Sequence, residues 1–232
     1  LAGSYVAHAR YTDAIPLYER LVATSDSALE SGRFYAHYPP ELVAAYDSAG
    51  HPERAEALCQ RLVDCENRLA LGDPDALDWA SSALASHRLA RGDSSRAEAL
   101  YRKAIGVARR TSSWCGTTAG MQAYRGLSAL YRRQKRLPEA KALLEDGIRL
   151  RSSTYGHGEF TDSTSAGPLF LDLGLVFLDQ GALPQATHCI KSALRWDSRL
   201  RETAEAYAQV LERQGRAAEA GAWRERARTA RQ

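Results

Sequence analysis

A small residue recurs along this chain at intervals too regular for chance. Ala14, Ala55, Ala97, Ala140, Ala186 and Ala220 stand 41, 42, 43, 46 and 34 residues apart. Five residues before each lies a candidate corner: Ala9, Gly50, Gly92, Lys135, Gly181 and Gly215. Four residues after the marker come Tyr18, Cys59, Tyr101, Leu144, Ile190 and Arg224, and seven after it Leu21, Leu62, Ala104, Gly147, Ala193 and Ala227. Two segments, GHPERAEALCQRL from Gly50 and GDSSRAEALYRKA from Gly92, nearly superpose as text. Spacings of four and seven put all three positions on one helix face, and a glycine just ahead of a helix ends the one before it. Each copy therefore reads as two helices joined at a tight turn. A period of this length means units that bury their apolar faces only by stacking on neighbours.

The clearest copy is Leu173–Leu194, LGLVFLDQGALPQATHCIKSAL. Gly181 supplies the corner, and Pro184 falls in a first helical turn, which tolerates a missing N–H. Gly174, Ala186 and Ala193 are small where two helices must approach, while Phe177, Leu183 and Ile190 are large where a gap needs filling. The unit boundaries expected from this pattern are 1–30 (partial), 36–72, 76–110, 121–153, 167–198 and 201–232, forming one array over residues 1–232.

The offsets resemble those of the tetratricopeptide repeat, carried here by Leu173, Gly174, Phe177, Gly181, Ala186 and Ala193, and again by Leu127, Ser128, Tyr131, Ala140 and Leu144. The period, longer than the usual 34, and the joint LRSSTYGHGEF at Leu150–Phe160 are similar to the subgroup typified by kinesin light chains. The expected fold is all-α, a right-handed superhelical solenoid of about six antiparallel helix–turn–helix units. Three departures stand out. Lys135 replaces a corner glycine, Arg224 replaces a large apolar residue, and Pro16 falls inside a second helix.

Composition agrees with an array. The chain has 232 residues, 44% of them hydrophobic and 25% charged, with alanine, arginine and leucine prominent and no β-branched runs. A net charge of +3, from 31 basic and 28 acidic residues, is no nucleic-acid signature. Cys59, Cys65, Cys115 and Cys189 form no CxxC, and the expected setting is reducing and cytoplasmic. No apolar run reaches the eighteen or so residues of a membrane span, and the given residues do not read as a signal peptide. Leu1 sits at the seventh position of a first helix, so upstream sequence, or a lost helix, is expected.

Stacking should align positions 2, 5, 9 and 12 of successive first helices along an inner groove. Trp79, Ser82, Ser86 and Leu89 supply this stripe in the third unit. Gln122, Arg125, Ala129 and Arg132, with Arg133 beside them, supply it in the fourth. Pro168, Leu171, Leu175 and Leu178 follow in the fifth, then Glu202, Glu205, Gln209 and Glu212 in the sixth. The fifth unit's first helix, PLFLDLGLVFLDQ, is hydrophobic nearly all round, with Asp172 and Asp179 its clearly polar residues. Such a helix is covered on every side, either by the 154–167 loop or neighbouring units, or by a partner. In the second case a ligand segment would lay apolar groups on Leu171, Leu175 and Leu178 and an acidic group against Arg125, Arg132 and Arg133.

Other chemistry is weakly signalled. The basic run Arg132–Arg136 reads as a solvated helix end, and no aromatic residues interleave with it. His188 and Cys189 are adjacent and point about 100° apart on a helix, a poor start for a metal site. No GxSxG and no phosphate-cradling glycine loop occur. The single asparagine, Asn67, lies outside the inner stripes, so the asparagine-lined groove of kinesin light chains does not carry over. The expected role is an adaptor or scaffold that takes a protein or peptide segment, with no cofactor, no metal, no catalytic residues, no nucleic acid and no membrane. The alternative is a regulatory or sensor module of a larger signalling or transcriptional protein, contacting its own neighbouring domain or a small effector.

Overall fold

A computed structural model describes residues 2–30, 40–69, 74–110, 118–154, 166–196 and 200–229. These residues form helices and turns, with no strand among them. The chain divides into two compact units, Leu1–Thr111 and Ser112–Gln232. The first holds α1 (Ala2–Ala7), α2 (Tyr11–Glu30), α3 (Pro40–Ser48), α4 (Pro52–Leu69), α5 (Pro74–Ala90) and α6 (Ser94–Arg110). The second holds α7 (Thr118–Arg133), α8 (Leu137–Thr154), α9 (Gly167–Asp179), α10 (Leu183–Trp196), α11 (Leu200–Arg213) and α12 (Ala217–Thr229). In both units consecutive helices pack as hairpins, and each hairpin's second helix packs on the first helix of the next. The all-α expectation holds. Residues 31–39, 70–73 and 111–117, near where the expected units meet, and 155–165 of the 154–167 loop lie outside the described residues.

One bond pattern closes all six hairpins. Ala9, Gly50, Gly92, Lys135, Gly181 and Gly215 have φ of 55°, 80°, 83°, 61°, 75° and 78°. The N–H one residue later donates back to a carbonyl five residues upstream. Arg10 donates to Tyr5, His51 to Tyr46, Asp93 to Arg88, Arg136 to Tyr131, Ala182 to Phe177 and Arg216 to Leu211, all at 2.8–2.9 Å. This is the left-handed helix stop that glycine adopts without penalty. Ala9 and Lys135 adopt it too, at a cost of about 1–2 kcal/mol each. The corner is thus set by position in the repeat and only helped by the residue there. The next helix starts at once: the Arg96 N–H donates to the Asp93 side chain at 3.1 Å, capping α6.

The six marker alanines are fully buried, because a second helix rests on a first helix at each of them. In the fifth repeat the approach is closest. A Cβ on Gly174 would lie 2.5 Å from Ile190 Cγ1 and 3.4 Å from the Ala186 carbonyl oxygen. Ile190 is itself fully buried, so the space left by one missing methyl is filled by the facing helix. Gly147 does the same for Tyr124, whose ring would meet a Cβ there at 2.9 Å. The Tyr124 hydroxyl reaches out of the core to donate to Asp146 at 2.9 Å.

Two substitutions test this account in opposite directions. Gly174→Ala should destabilise by about 1–3 kcal/mol in urea unfolding, since overpacking against Ile190 outweighs alanine's helix preference. Lys135→Gly should stabilise by about 1 kcal/mol, because it removes the left-handed penalty while leaving the corner bond in place.

Candidate functional site

The first helices of the second unit lie side by side, α7 against α9 and α9 against α11. Their shared face carries the fourth to sixth parts of the expected stripe. The basic section is not open. Arg125 Nε lies 2.7 Å from Asp172 Oδ2, and Arg132 Nε lies 2.8 Å from Asp179 Oδ2. Both pairs join residues 47 apart in sequence, and the two members on each helix are seven apart, so two rungs of one ladder bind α7 to α9. Arg125 also reaches toward Glu202 on α11, at 3.8 Å. The carboxylates that the stripe was expected to receive from a ligand come from neighbouring repeats. Burial pushes the Asp172 carboxyl above its ordinary range, with Arg125 pulling against that shift and Glu202 adding to it.

The apolar section is closed as well. Leu171 and Leu178 keep 2% and 3% of their surface and sit in a core with Ile190, Tyr207, Val210 and Leu211. Of the two coverings expected for this helix, neighbouring units supply the one seen at Leu171 and Leu178: α9 is contacted by α7, α8, α10 and α11. Leu175 is half-buried against the same core. The part of the 154–167 loop from 155 to 165 lies outside the described residues. Gln122, Ala129, Glu202, Glu205, Gln209 and Glu212 of the stripe face solvent, as does Arg133 beside it, with Arg201 lying 3.5 Å from Glu205.

In the first unit Trp79 is half-buried on the core, and Ser82 is buried at 2% exposure. Ser86 is exposed, but its hydroxyl is within 2.9 Å of the Tyr101 hydroxyl and donates to the Ser82 carbonyl at 3.1 Å. These three serve the hairpin α5–α6 more than any outward surface.

Buried polar links between repeats are what the sequence reading missed. In the first unit Glu56, nearly inaccessible on α4, lies 3.1 Å from Arg88 on α5 and 2.8 Å from Arg91 just beyond it. His87 Nε2 lies 3.5 Å from Asp47 on α3. Glu19 on α2 accepts from the Tyr46 hydroxyl at 2.6 Å and from Arg54 at 3.3 Å. A signal for the ladder was present: Asp172 and Asp179 repeat the seven-residue spacing of Arg125 and Arg132. Among the described residues no group of three or more histidine, cysteine or acidic side chains could hold a metal ion. Cys59 and Cys189 are buried free thiols, pushed up to about 12 and about 11 by burial, with nearby carboxylates adding to the shift. At neutral pH they are protonated and poor nucleophiles.

The ladder predicts unequal costs. Arg125→Ala should cost about 3 kcal/mol, since it leaves the buried Asp172 without its nearest cation. That loss should shrink as pH falls through the raised folded-state range of the Asp172 carboxyl, where the folded carboxyl takes up its proton in both proteins. The unfolded chain contributes equally to each. For Arg132 and Asp179, each about a quarter exposed, a double-mutant cycle should give a coupling of about 0.5–1 kcal/mol that weakens with salt.

Comparison with known proteins places this architecture. Residues 121–162 match the family model described as a tetratricopeptide repeat. No curated protein sequence matches the chain. Among solved structures, BtubC (BKLC) from P. vanneervenii is 17% identical with a TM-score of 0.64, covering 91% of this chain and 89% of its own. The nearly identical TPR-like repeats of a putative kinesin light chain from Podosopora anserina are 17% identical with a TM-score of 0.58, covering 82% and 92%. TTC0263, a thermophilic TPR protein of Thermus thermophilus, is 20% identical with a TM-score of 0.55, covering 92% and 91%. Repeats of this kind generally mediate protein–protein interaction and generally form non-enzymatic scaffolds. Residues 121–162 thus match a tetratricopeptide repeat, and the fold of the described chain is that of tetratricopeptide-repeat solenoids, those of the kinesin light chain-like repeats included.

Proposed function

We propose that the chain is an adaptor or scaffold that binds a segment of a partner protein along the face of its first helices, acting as one array over residues 1–232. The observation that carries this reading is the second unit's first-helix face. Its cations are already matched by Asp172 and Asp179, and its large apolar residues are already packed. Recognition there rests on the groups at the surface: Gln122, Arg133 and Glu205, with half-buried Leu175 between the helices that carry them. Arg125 and Arg132 hold the face in shape and offer a partner only the outer edges of their guanidinium groups. Of the corresponding stretch in the first unit, half-buried Trp79 adds an apolar contact, while Ser82 and Ser86 hold the α5–α6 hairpin together. A mixed-charge face of this kind selects for polar complementarity more than for bulk hydrophobic burial.

The setting proposed is cytoplasmic, supported by the two buried free thiols. No helix among the described residues is long and apolar enough to cross a membrane. A second reading, a sensor module answering to a small effector, is favoured by an open cleft between α2, α3 and α4.

Charge reversal tests the first reading. Arg133→Glu and Glu205→Lys should each lower capture of a partner from source lysate by about tenfold at unchanged helicity, the size of one lost charge-assisted contact. Glu145→Lys on α8 should not. Capture unaffected by both reversals would remove the first-helix face as the binding surface.

A further inference from the structure

The corner between α7 and α8 carries four cations within five residues: Arg132, Arg133, Lys135 and Arg136. Two of them are committed inside the fold. Arg132 lies 2.8 Å from Asp179, and Arg136 donates to Glu139 from Nε at 3.0 Å and from Nη2 at 2.7 Å. Arg136 also lies over the Tyr131 ring, 4.1 Å from its centre, and donates to the Gln134 side chain at 3.0 Å. Arg133 and Lys135 are exposed, and among the described residues neither side chain meets a carboxylate, another acceptor or a ring. Four cations against the carboxylates of Asp179 and Glu139 leave two positive charges over.

Lys135 stands out for a second reason. It holds the left-handed corner at φ 61°, where Gly50, Gly92, Gly181 and Gly215 serve four of the other hairpins. Its side chain therefore costs stability and makes no contact within the chain, and departures of that kind collect at functional sites.

The backbone of the corner narrows the chemistry. The N–H groups of Gln134, Lys135 and Arg136 donate to Leu130, Arg132 and Tyr131 at 2.9–3.0 Å, so no nest of amides is left to cradle a phosphate. Tyr131 is buried with Arg136 over its ring, so it offers no face to a nucleic-acid base. What is offered is two side-chain cations whose Cα atoms are at most about 7 Å apart. Carboxylates on one face of an extended segment recur at about that interval.

We propose that the α7–α8 corner docks an acidic stretch of the partner protein, with carboxylates two residues apart at Arg133 and Lys135. This rests on the adaptor reading and deepens it, by naming the charge of the segment that leaves the first-helix face at Arg133.

Amide shifts of the full chain titrated with octaglutamate, octaglutamine and octauridylate test this. Octaglutamate should shift the amides of residues 130–138 and lose most of that effect in about 0.5 M salt. Lys135→Gly, which should stabilise the fold, should weaken octaglutamate by about threefold, the worth of one exposed charge pair. Arg133→Glu should weaken it by at least about tenfold. Arg195→Glu, at an exposed position near the C-terminal end of α10, should leave it unchanged. Octaglutamine binding as well as octaglutamate, octauridylate binding more tightly, or octaglutamate binding unchanged in Lys135→Gly and Arg133→Glu would overturn the proposal. An equal loss in Arg195→Glu would overturn it too, since attraction would then follow net charge and not the corner. Partner capture from source lysate should also fall in Lys135→Gly, and capture unchanged there would overturn docking at this corner. The adaptor reading fails by a different result, capture unchanged in both Arg133→Glu and Glu205→Lys, so the two failures are told apart.

Discussion

Everything in this molecule depends on a backbone reversal that costs little and repeats six times. A residue with positive φ lets the following N–H reach a carbonyl five residues back, and two helices are then committed to lie antiparallel. Once they do, the marker position must be small, and alanine fills it every time. The consequence is that neither helix can bury its apolar face within its own hairpin. Stability comes from the next hairpin, as expected for a protein whose elements touch mainly their sequence neighbours.

That dependence explains α9. A helix that is apolar on nearly every side would be a liability at the end of an array or on its surface. Here it is central to its unit, with α7, α8, α10 and α11 around it, and burial of each of its large side chains stabilises by about 1.5–3 kcal/mol. Its two aspartates emerge on the one side where α7 presents arginines. The composition of α9 thus reflects its surroundings within the fold, and the binding face proposed above is confined to the polar fringe beside it.

The repeat, its corners and its buried alanines were legible in the letters because each obeys a local rule: a glycine stop, a helical spacing, a small residue at a close approach. Even Lys135, which breaks the rule, took the conformation that its place demanded. Which of the two coverings the apolar face of α9 takes was left open by the letters. Whether Leu171 and Leu178 meet solvent depends on the tilt between α9 and α11, which no spacing within one helix encodes. Arg125 and Arg132 were read as open to a ligand because their partners are 47 residues away. Matching a seven-residue interval on one helix to the same interval on another would have found them. The cleft of the first unit left no comparable trace, since it is a gap among three helices and not a pattern in any of them.

The paired rungs between α7 and α9 also act as a register gauge. Alanine- and leucine-rich helix surfaces are nearly degenerate: sliding one past another by a turn trades one small-into-large fit for a similar one. Slipping α9 by that amount would break both ion pairs together and strand a desolvated carboxylate. The charges therefore discriminate among alignments that hydrophobic packing alone would leave close in energy.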